Sequence, residues 1–135
     1  MKKFNKKKLP SRHTTIGADK APQRSFYYAM DLTEKDVAKP FVGVVSTWNE
    51  AAPCNINLMK QAQSVKKGVQ ATGGTPREFC TITVTDGIAM GHEGMKSSLI
   101  SRDVIADSTE LTVRGHCYDA LVGVAGCDKS LPGLM

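Results

Sequence analysis

Thiol, carboxylate and amine side chains follow three apolar segments of the sequence. The segments are residues 41–47, 79–85 and 120–125, and the side chains that follow them are Cys54, Asp86, Cys127, Asp128 and Lys129. Thiolates suit iron-sulfur centres, copper or zinc, whereas carboxylates suit hard cations such as magnesium. If the three segments are neighbouring strands, one edge of a sheet offers both kinds of ligand.

Each of these residues also has a plainer structural interpretation. A free cysteine is among the most buried residue types, and an aspartate before glycine, as at Asp86, commonly forms a turn. Taken singly, these residues favour structural roles. Cys80, which lies within the second apolar segment, is predicted to pack in the core, and Cys117 is predicted to do the same.

Two histidines give weak signals. His92, in a glycine-rich loop, could be a ligand or a proton carrier, and His116 stands beside Cys117. Neither shows the paired spacing of a zinc site. The Gly-x-x-Gly loop at residues 91–94 also lacks the Gly-Lys-Ser/Thr signature of a phosphate cradle.

The elements that would position these side chains alternate between strand and helix. The three apolar segments are predicted strands, residues 57–71 and about 100–114 are predicted helices, and a short helix is expected between Arg24 and Lys39. The predicted apolar stripes are Leu58, Ala62, Val65 and Val69 on the first long helix and Ile100, Val104, Ile105 and Leu111 on the second. This order predicts βαβ units, a parallel sheet and an α/β fold. Ligands of such sheets bind at the carboxyl ends of the strands.

Charge divides the chain into a basic arm, residues 1–24, and a partial α/β domain, residues 25–135. The arm carries eight cationic residues against Asp19, a net +7, so the overall +5 leaves −2 for the rest. The arm has few aromatic residues and no known nucleic-acid motif, which favours a solvated segment over nucleic-acid binding. It is rich in lysine rather than arginine, which weakens a transit-peptide interpretation.

The four cysteines are widely spaced and show no paired framework, and no apolar N-terminal stretch resembles a signal or a membrane span. We therefore expect a reducing, cytoplasmic setting, without disulfides or membrane association. A chain of 135 residues can bury an apolar core without such staples.

Three longer motifs resemble the dihydroxy-acid dehydratases. They are Ser-Thr-Trp-Asn-Glu at 46–50 with Pro-Cys-Asn at 53–55, the run from Thr81 to Met95 with 101–108, and Gly-Cys-Asp-Lys at 126–129 with Pro132-Gly133. The resemblance extends from about Ser11 to the last residue. The sequence departs from the family where Ser130-Leu131 replaces a commoner Asn-Met.

The resemblance implies a hydro-lyase that converts 2,3-dihydroxy carboxylic acids to 2-keto acids in the synthesis of valine, isoleucine and leucine. By position, Cys54 and Cys127 would hold a [2Fe-2S] cluster, because family members lacking the first cysteine resemble [4Fe-4S] proteins. Asp86, Asp128 and a carbamylated Lys129 would bind Mg²⁺. A small-molecule substrate and a homodimer are also implied.

Family members are several hundred residues long, so the third cluster cysteine and the catalytic base, a serine, are expected outside this segment. We expect the isolated chain to be inactive and to contain no catalytic residue. Two alternatives stay open: part of a sister sugar-acid dehydratase acting on phosphogluconate or aldonates, and a non-catalytic metal- or cluster-binding module.

Overall fold

A computed structural model describes residues 4–135, which form a three-stranded sheet and seven α-helices. The strands are β1 (Phe41–Ser46), β2 (Thr75–Cys80) and β3 (Ala120–Val124). The helices are α1 (Arg12–Thr15), α2 (Ala21–Ala29), α3 (Glu34–Val37), α4 (Leu58–Ala71), α5 (Asp86–Ala89), α6 (Lys96–Gly115) and α7 (Ser130–Leu134). Short 3-10 turns lie at Lys6–Lys8, Ala18–Lys20 and Glu93–Met95. None of the helices between residues 4 and 135 combines the length and apolar character that crossing a bilayer requires.

The sheet is parallel with strand order β2-β1-β3, which confirms the predicted α/β fold. The central strand β1 is an apolar run whose Phe41, Val44 and Val45 are fully buried. Helix α4 covers it with Leu58 and Ala62, as its apolar spacing predicts. Because all three strands point the same way, the loops that follow them meet at one edge, the carboxyl edge of the sheet.

The predicted position of the second strand is wrong. Strand β2 begins at Thr75 and ends at Cys80, where Cys80 pairs with Ser46 at the end of β1. Beyond that point β1 offers a partner only to Thr81, whose amide donates to the Ser46 carbonyl at 2.9 Å. The sequence pattern hid the start of β2 because Pro76 breaks it. Proline is tolerated there because β2 lies at the edge of the described sheet.

Neither free cysteine lies in the core, so the prediction for both is wrong. Cys80 is exposed, and its thiol lies 3.2 Å from the Ser46 hydroxyl. Cys117 is only half-buried and has a positive φ of 53°. It follows the end of α6, where a left-handed residue lets the chain turn toward β3.

Helix α6 buries a different face from the predicted one. Ile105 is fully buried, but Ile100, Val104 and Leu111 are 61%, 43% and 71% exposed. The inward face is made largely of small polar residues, namely Ser98, Ser101 and Thr109. Helix α7 packs closely there: a Cβ added to Gly133 would lie 3.0 Å from the Ile105 Cβ. Close approach of two helices selects small side chains rather than an apolar stripe.

Parts of the basic arm pack on the sheet, although most of its described residues, including Lys7, Lys8 and Arg12, are exposed. Ser11 is fully buried and donates two hydrogen bonds to Asp119, from its amide at 2.8 Å and its hydroxyl at 2.6 Å. The Lys6 amine donates to the Lys39 carbonyl at 2.6 Å and lies over the Phe41 ring. Burial lowers the pKa of Lys6 to about 8 despite the opposing effect of Asp119. Lys6 and Ser11 therefore attach the arm to the sheet; Lys2 and Lys3 lie outside the described residues.

Candidate metal centre at the carboxyl edge

The fold brings the five predicted ligand residues into two adjacent clusters at the carboxyl edge. Cys54 lies beside Cys127, and Lys129 lies between Asp86 and Asp128. The hydroxyl of Thr85, next to Asp86 in the chain, lies 3.7 Å from the Cys127 sulfur and so connects the clusters.

The thiol cluster is Cys54 and Cys127, which the structure joins as a disulfide with their Cα atoms 5.9 Å apart. The expectation that no cysteines pair is therefore wrong for these two. Cys54 is exposed, whereas Cys127 is only 7% exposed. A thiolate, not a disulfide sulfur, is the metal ligand, so both must be reduced before they bind a metal. Once reduced, two thiols at this spacing can reach one cluster.

Ser130 fixes the backbone at Cys127. Its hydroxyl accepts a hydrogen bond from the Cys127 amide at 3.2 Å and donates to the Cys127 carbonyl at 3.1 Å. Ser130 is fully buried and begins α7, so the helix anchors the cysteine turn. The departure from the family at this position therefore has a clear structural role.

The charged cluster has Lys129 at its centre. Its amine donates to one carboxylate oxygen of Asp86 and one of Asp128, both at 2.7 Å, while the Ser98 hydroxyl donates to the other oxygen of Asp86. Lys129, and then Ser98, hold the pKa of Asp86 below its usual value. Asp128, and then Asp86, raise the pKa of Lys129.

The two carboxylates converge on a single positive charge, as a divalent cation would require. The Lys129 ammonium occupies that place. Within residues 4–135 no group of three or more His, Cys, Asp or Glu side chains is arranged to hold a metal ion. The donor set therefore fits a hard cation when Lys129 itself becomes an oxygen ligand, as a carbamate would make it.

A cavity of about 330 Å³ opens beside these clusters, between the loops that follow β1 and β2. Its lining is apolar at Ala52, Ile88 and Ala89 and polar at Asn49 and His92. The lining is therefore suited to a small molecule with both apolar and polar groups.

The two histidines lie at opposite ends of α6 and form no common site. The Nδ1 atom of His92 accepts a hydrogen bond from the Gly94 amide at 3.0 Å, and its Nε2 lies 3.0 Å from the Ile88 carbonyl. In this pairing Nδ1 is the acceptor, which leaves Nε2 to face the Ile88 carbonyl as a donor. The Nδ1 atom of His116 lies 2.9 Å from the Thr112 carbonyl at the helix end.

The sequence interpretation missed three positioning groups: Asn55, Thr85 and Ser98. Asn55 is part of the Pro-Cys-Asn motif, but the motif did not show that its side chain is buried. Ser98, near the start of α6, contacts Asp86 at the start of α5, and this contact across 12 residues has no local sequence signal.

The α/β fold, with thiols and carboxylates at the carboxyl edge of its sheet, matches the dehydratase expectation from the sequence motifs, and comparison with known sequences agrees. Residues 39–135 match the sequence model for the dihydroxy-acid/6-phosphogluconate dehydratase N-terminal domain. The chain belongs to this family, as its motifs predict.

Several relatives with high sequence identity are dihydroxy-acid dehydratases by name. The chain is 90% identical, over all its 135 residues, to a dihydroxy-acid dehydratase of Pelagibacter ubique (strain HTCC1062), of which it covers 24%. It is 78% identical over 134 residues to a dihydroxy-acid dehydratase of Parvibaculum lavamentivorans, and 57% identical over 119 residues to one of Metallosphaera sedula. The Parvibaculum match includes 99% of this chain and 23% of the relative. The Metallosphaera match includes 88% of this chain and 21% of the relative. The chain thus spans about a quarter of the length of the curated relatives it matches.

Proposed function

We propose that this chain is the N-terminal part of a dihydroxy-acid dehydratase. The enzyme would remove water from a 2,3-dihydroxy carboxylic acid to give a 2-keto acid in branched-chain amino acid biosynthesis. It would act in the cytoplasm as a homodimer. The observation that carries the proposal is the pair of adjoining clusters, one of thiols and one of carboxylates, in a chain 90% identical to a protein of that name.

Cys54 and Cys127 would hold a [2Fe-2S] cluster as thiolates. Their Cα separation of 5.9 Å and the fixed backbone at Cys127 support this assignment. Two thiolates are fewer than the protein ligands such clusters usually take, so further ligands must come from outside this segment. We therefore expect the isolated chain to assemble little cluster and to show no turnover.

Asp86, Asp128 and carbamylated Lys129 would hold Mg²⁺. A carbamate replaces the ammonium with anionic oxygen, the donor type that Mg²⁺ prefers. Ser98 would keep one oxygen of Asp86 occupied, and so orient the other toward the cation.

When bound, the cluster and the Mg²⁺ supply Lewis acidity toward the departing hydroxyl and the carboxylate end of the substrate. The protein residues would position and enclose the reactants. Ala52, Ile88 and Ala89 would pack against an aliphatic substituent, while Asn49 and His92 provide polar contacts.

The test is a chimera in which this chain replaces the matching quarter of the Pelagibacter ubique relative. After anaerobic reconstitution with iron, sulfide and Mg²⁺, the chimera should convert 2,3-dihydroxyisovalerate to its 2-keto acid. Its iron content should correspond to a two-iron cluster rather than a four-iron one. Cys54→Ser should lose iron and activity together, whereas Cys80→Ser, at an exposed cysteine outside the site, should retain both.

Two results would contradict the proposal. Iron content unaffected by Cys54→Ser would remove the cluster assignment. Turnover of 6-phosphogluconate without turnover of 2,3-dihydroxyisovalerate, by the full-length protein that contains this chain, would place the chain in a sugar-acid dehydratase instead.

A further inference from the structure

Asn55 is a buried polar residue directly after Cys54. It is 0% exposed, and its amide nitrogen donates to the Thr47 carbonyl at 2.6 Å and to the Thr47 hydroxyl at 2.9 Å. Thr47 is itself fully buried, and its amide donates to the Val124 carbonyl at 3.3 Å. The Asn55 side chain thus holds the Cys54 loop to Thr47 at the end of β1, and the Thr47 backbone is in turn bonded to the end of β3.

Gly126 sets the approach from the other side. A Cβ added there would overlap the Cys54 carbonyl oxygen and the Asn55 side-chain oxygen, and would lie 2.8 Å from the Cys54 carbonyl carbon. The residue before Cys127 therefore packs directly on the backbone of Cys54. Only glycine permits this contact without displacing one of the two loops.

The carboxamide oxygen of Asn55 is buried and has no hydrogen-bond partner. A buried polar atom left unpaired costs about 1–3 kcal/mol. A side chain serving stability alone would be expected to use both of its polar ends. The arrangement at Asn55 instead fixes one end on Thr47 and leaves the other against Gly126.

We propose that Asn55 is a positioning residue that holds Cys54 beside Cys127, so that the reduced pair is a preorganised dithiol. Asn55 is held by its hydrogen bonds to Thr47, and Gly126 packs against its side-chain oxygen. The inference deepens the proposed function, since the pair would be the cluster ligands. This arrangement of Asn55, Thr47 and Gly126, the clamp, concerns only the positions of the two thiols.

The test uses the reduced 135-residue chain with Cys80→Ser and Cys117→Ser, which leaves only the pair. Phenylarsine oxide condenses with two thiols, forming two arsenic-sulfur bonds and releasing one water, while the arsenic stays trivalent. Asn55→Ala should weaken arsenical binding about tenfold or more, because a loose loop lowers the effective concentration of one thiol at the other. Thr47→Val, which removes only one of the two acceptors, should have a smaller effect.

Two controls separate positioning from general loosening. Asn57→Ala changes an exposed asparagine whose side chain makes no cap hydrogen bond, and should leave arsenical binding unchanged. Val37→Ala, at a buried residue of α3, should lower the Tm without changing arsenical binding. The rate at which iodoacetamide modifies either thiol alone should also be unchanged in Asn55→Ala.

Unchanged arsenical affinity in Asn55→Ala would overturn the inference, and so would an equal loss in Val37→Ala. The result is independent of the dehydratase test. Asn55-dependent arsenical binding in a chain whose chimera builds no cluster would leave the clamp standing and remove the proposed function. Cluster assembly without Asn55-dependent binding would do the reverse.

Discussion

Two aspartates lie at opposite ends of the parallel strands, and they differ in burial and in the groups that contact them. Asp119, before β3 at the amino edge, has a side chain only 3% exposed and accepts hydrogen bonds from the Ser11 amide, the Ser11 hydroxyl and the Phe41 amide. Asp86, at the carboxyl edge, has a side chain 30% exposed and is paired with a lysine and a serine.

The comparison shows how one residue type serves structure or chemistry. The hydrogen-bond donors to Asp119 are neutral groups, two of them backbone amides, so they cannot leave without disturbing β1 or the N-terminal segment. The Lys6 ammonium lies farther away, 4.0 Å from the carboxylate. The main partner of Asp86 is a side-chain cation, the type of partner that another cation can replace. Permanent partners indicate a structural carboxylate, whereas an exchangeable partner is what the metal-binding role proposed for Asp86 would need.

The largest effect on stability is expected from Asp119→Ala. Removing the carboxylate leaves the Phe41 and Ser11 amides buried without an acceptor, so the free energy of unfolding should fall by about 3 kcal/mol. Urea denaturation measures the change. The control is Asp19→Ala, at an exposed aspartate paired with the adjacent Lys20, which should leave the free energy of unfolding nearly unchanged. A loss below about 1 kcal/mol for Asp119→Ala would contradict the structural role.

Asp86→Asn should separate binding from stability. The variant removes one carboxylate from the convergent pair, so Mn²⁺ affinity measured by electron paramagnetic resonance should fall about tenfold or more. The urea midpoint should change little because the side chain is partly exposed. Asp107→Asn, on the exposed side of α6, is the matched control and should alter neither quantity. Equal Mn²⁺ binding by Asp86→Asn and the parent chain would remove Asp86 from the metal site.

Ser98→Ala should have a moderate effect. Ser98 is 1% exposed and donates to Asp86, so losing its hydroxyl should cost about 1 kcal/mol of unfolding free energy. Its neighbour Ser97 is exposed, so Ser97→Ala should change the unfolding free energy by less than about 0.5 kcal/mol. If the two variants are equally stable, the hydrogen bond to Asp86 contributes nothing measurable.

A third aspartate, Asp36, gives the smallest effect and a pH dependence. Hydrogen bonds from Thr33, and then Lys39, lower its pKa from 3.8 to about 2. A lowered pKa favours the folded state above pH 3.8, and that contribution is lost as the pH falls through about 2. Because the Asp36 side chain is 30% exposed and solvent screens its partners, Asp36→Asn should cost only a few tenths of a kcal/mol at pH 7.

Urea midpoints measured from pH 7 to pH 2 should show the Asp36→Asn and parent curves converging toward the acid end. Asp103→Asn, at an exposed position on α6, is the control and should run parallel to the parent. A gap between Asp36→Asn and the parent that widens on acidification would contradict the assigned pKa shift.

The sequence predicted a parallel sheet and the meeting of the five candidate ligand residues at its carboxyl edge, because both follow from the alternation of strands and helices along the chain. It misplaced β2, since Pro76 disguised its start and the length of the ladder depends on where β1 ends. It also misjudged the buried face of α6, which is set by the close approach of Gly133. The contacts of Asn55 and Ser98 join separate loops or helices, and no local pattern encodes them.

The two edge strands of the described sheet differ in what they offer to other molecules in solution. Strand β2 carries Pro76, Arg77 and Glu78, which discourage an incoming strand. Strand β3 reads Ala-Leu-Val-Gly-Val, with Leu121 36% exposed, and carries neither proline nor charge. Association of the purified chain should therefore begin at β3, and light scattering should rise with protein concentration. The strand expected to limit the solubility of the purified chain is thus β3, the strand that Cys127 follows.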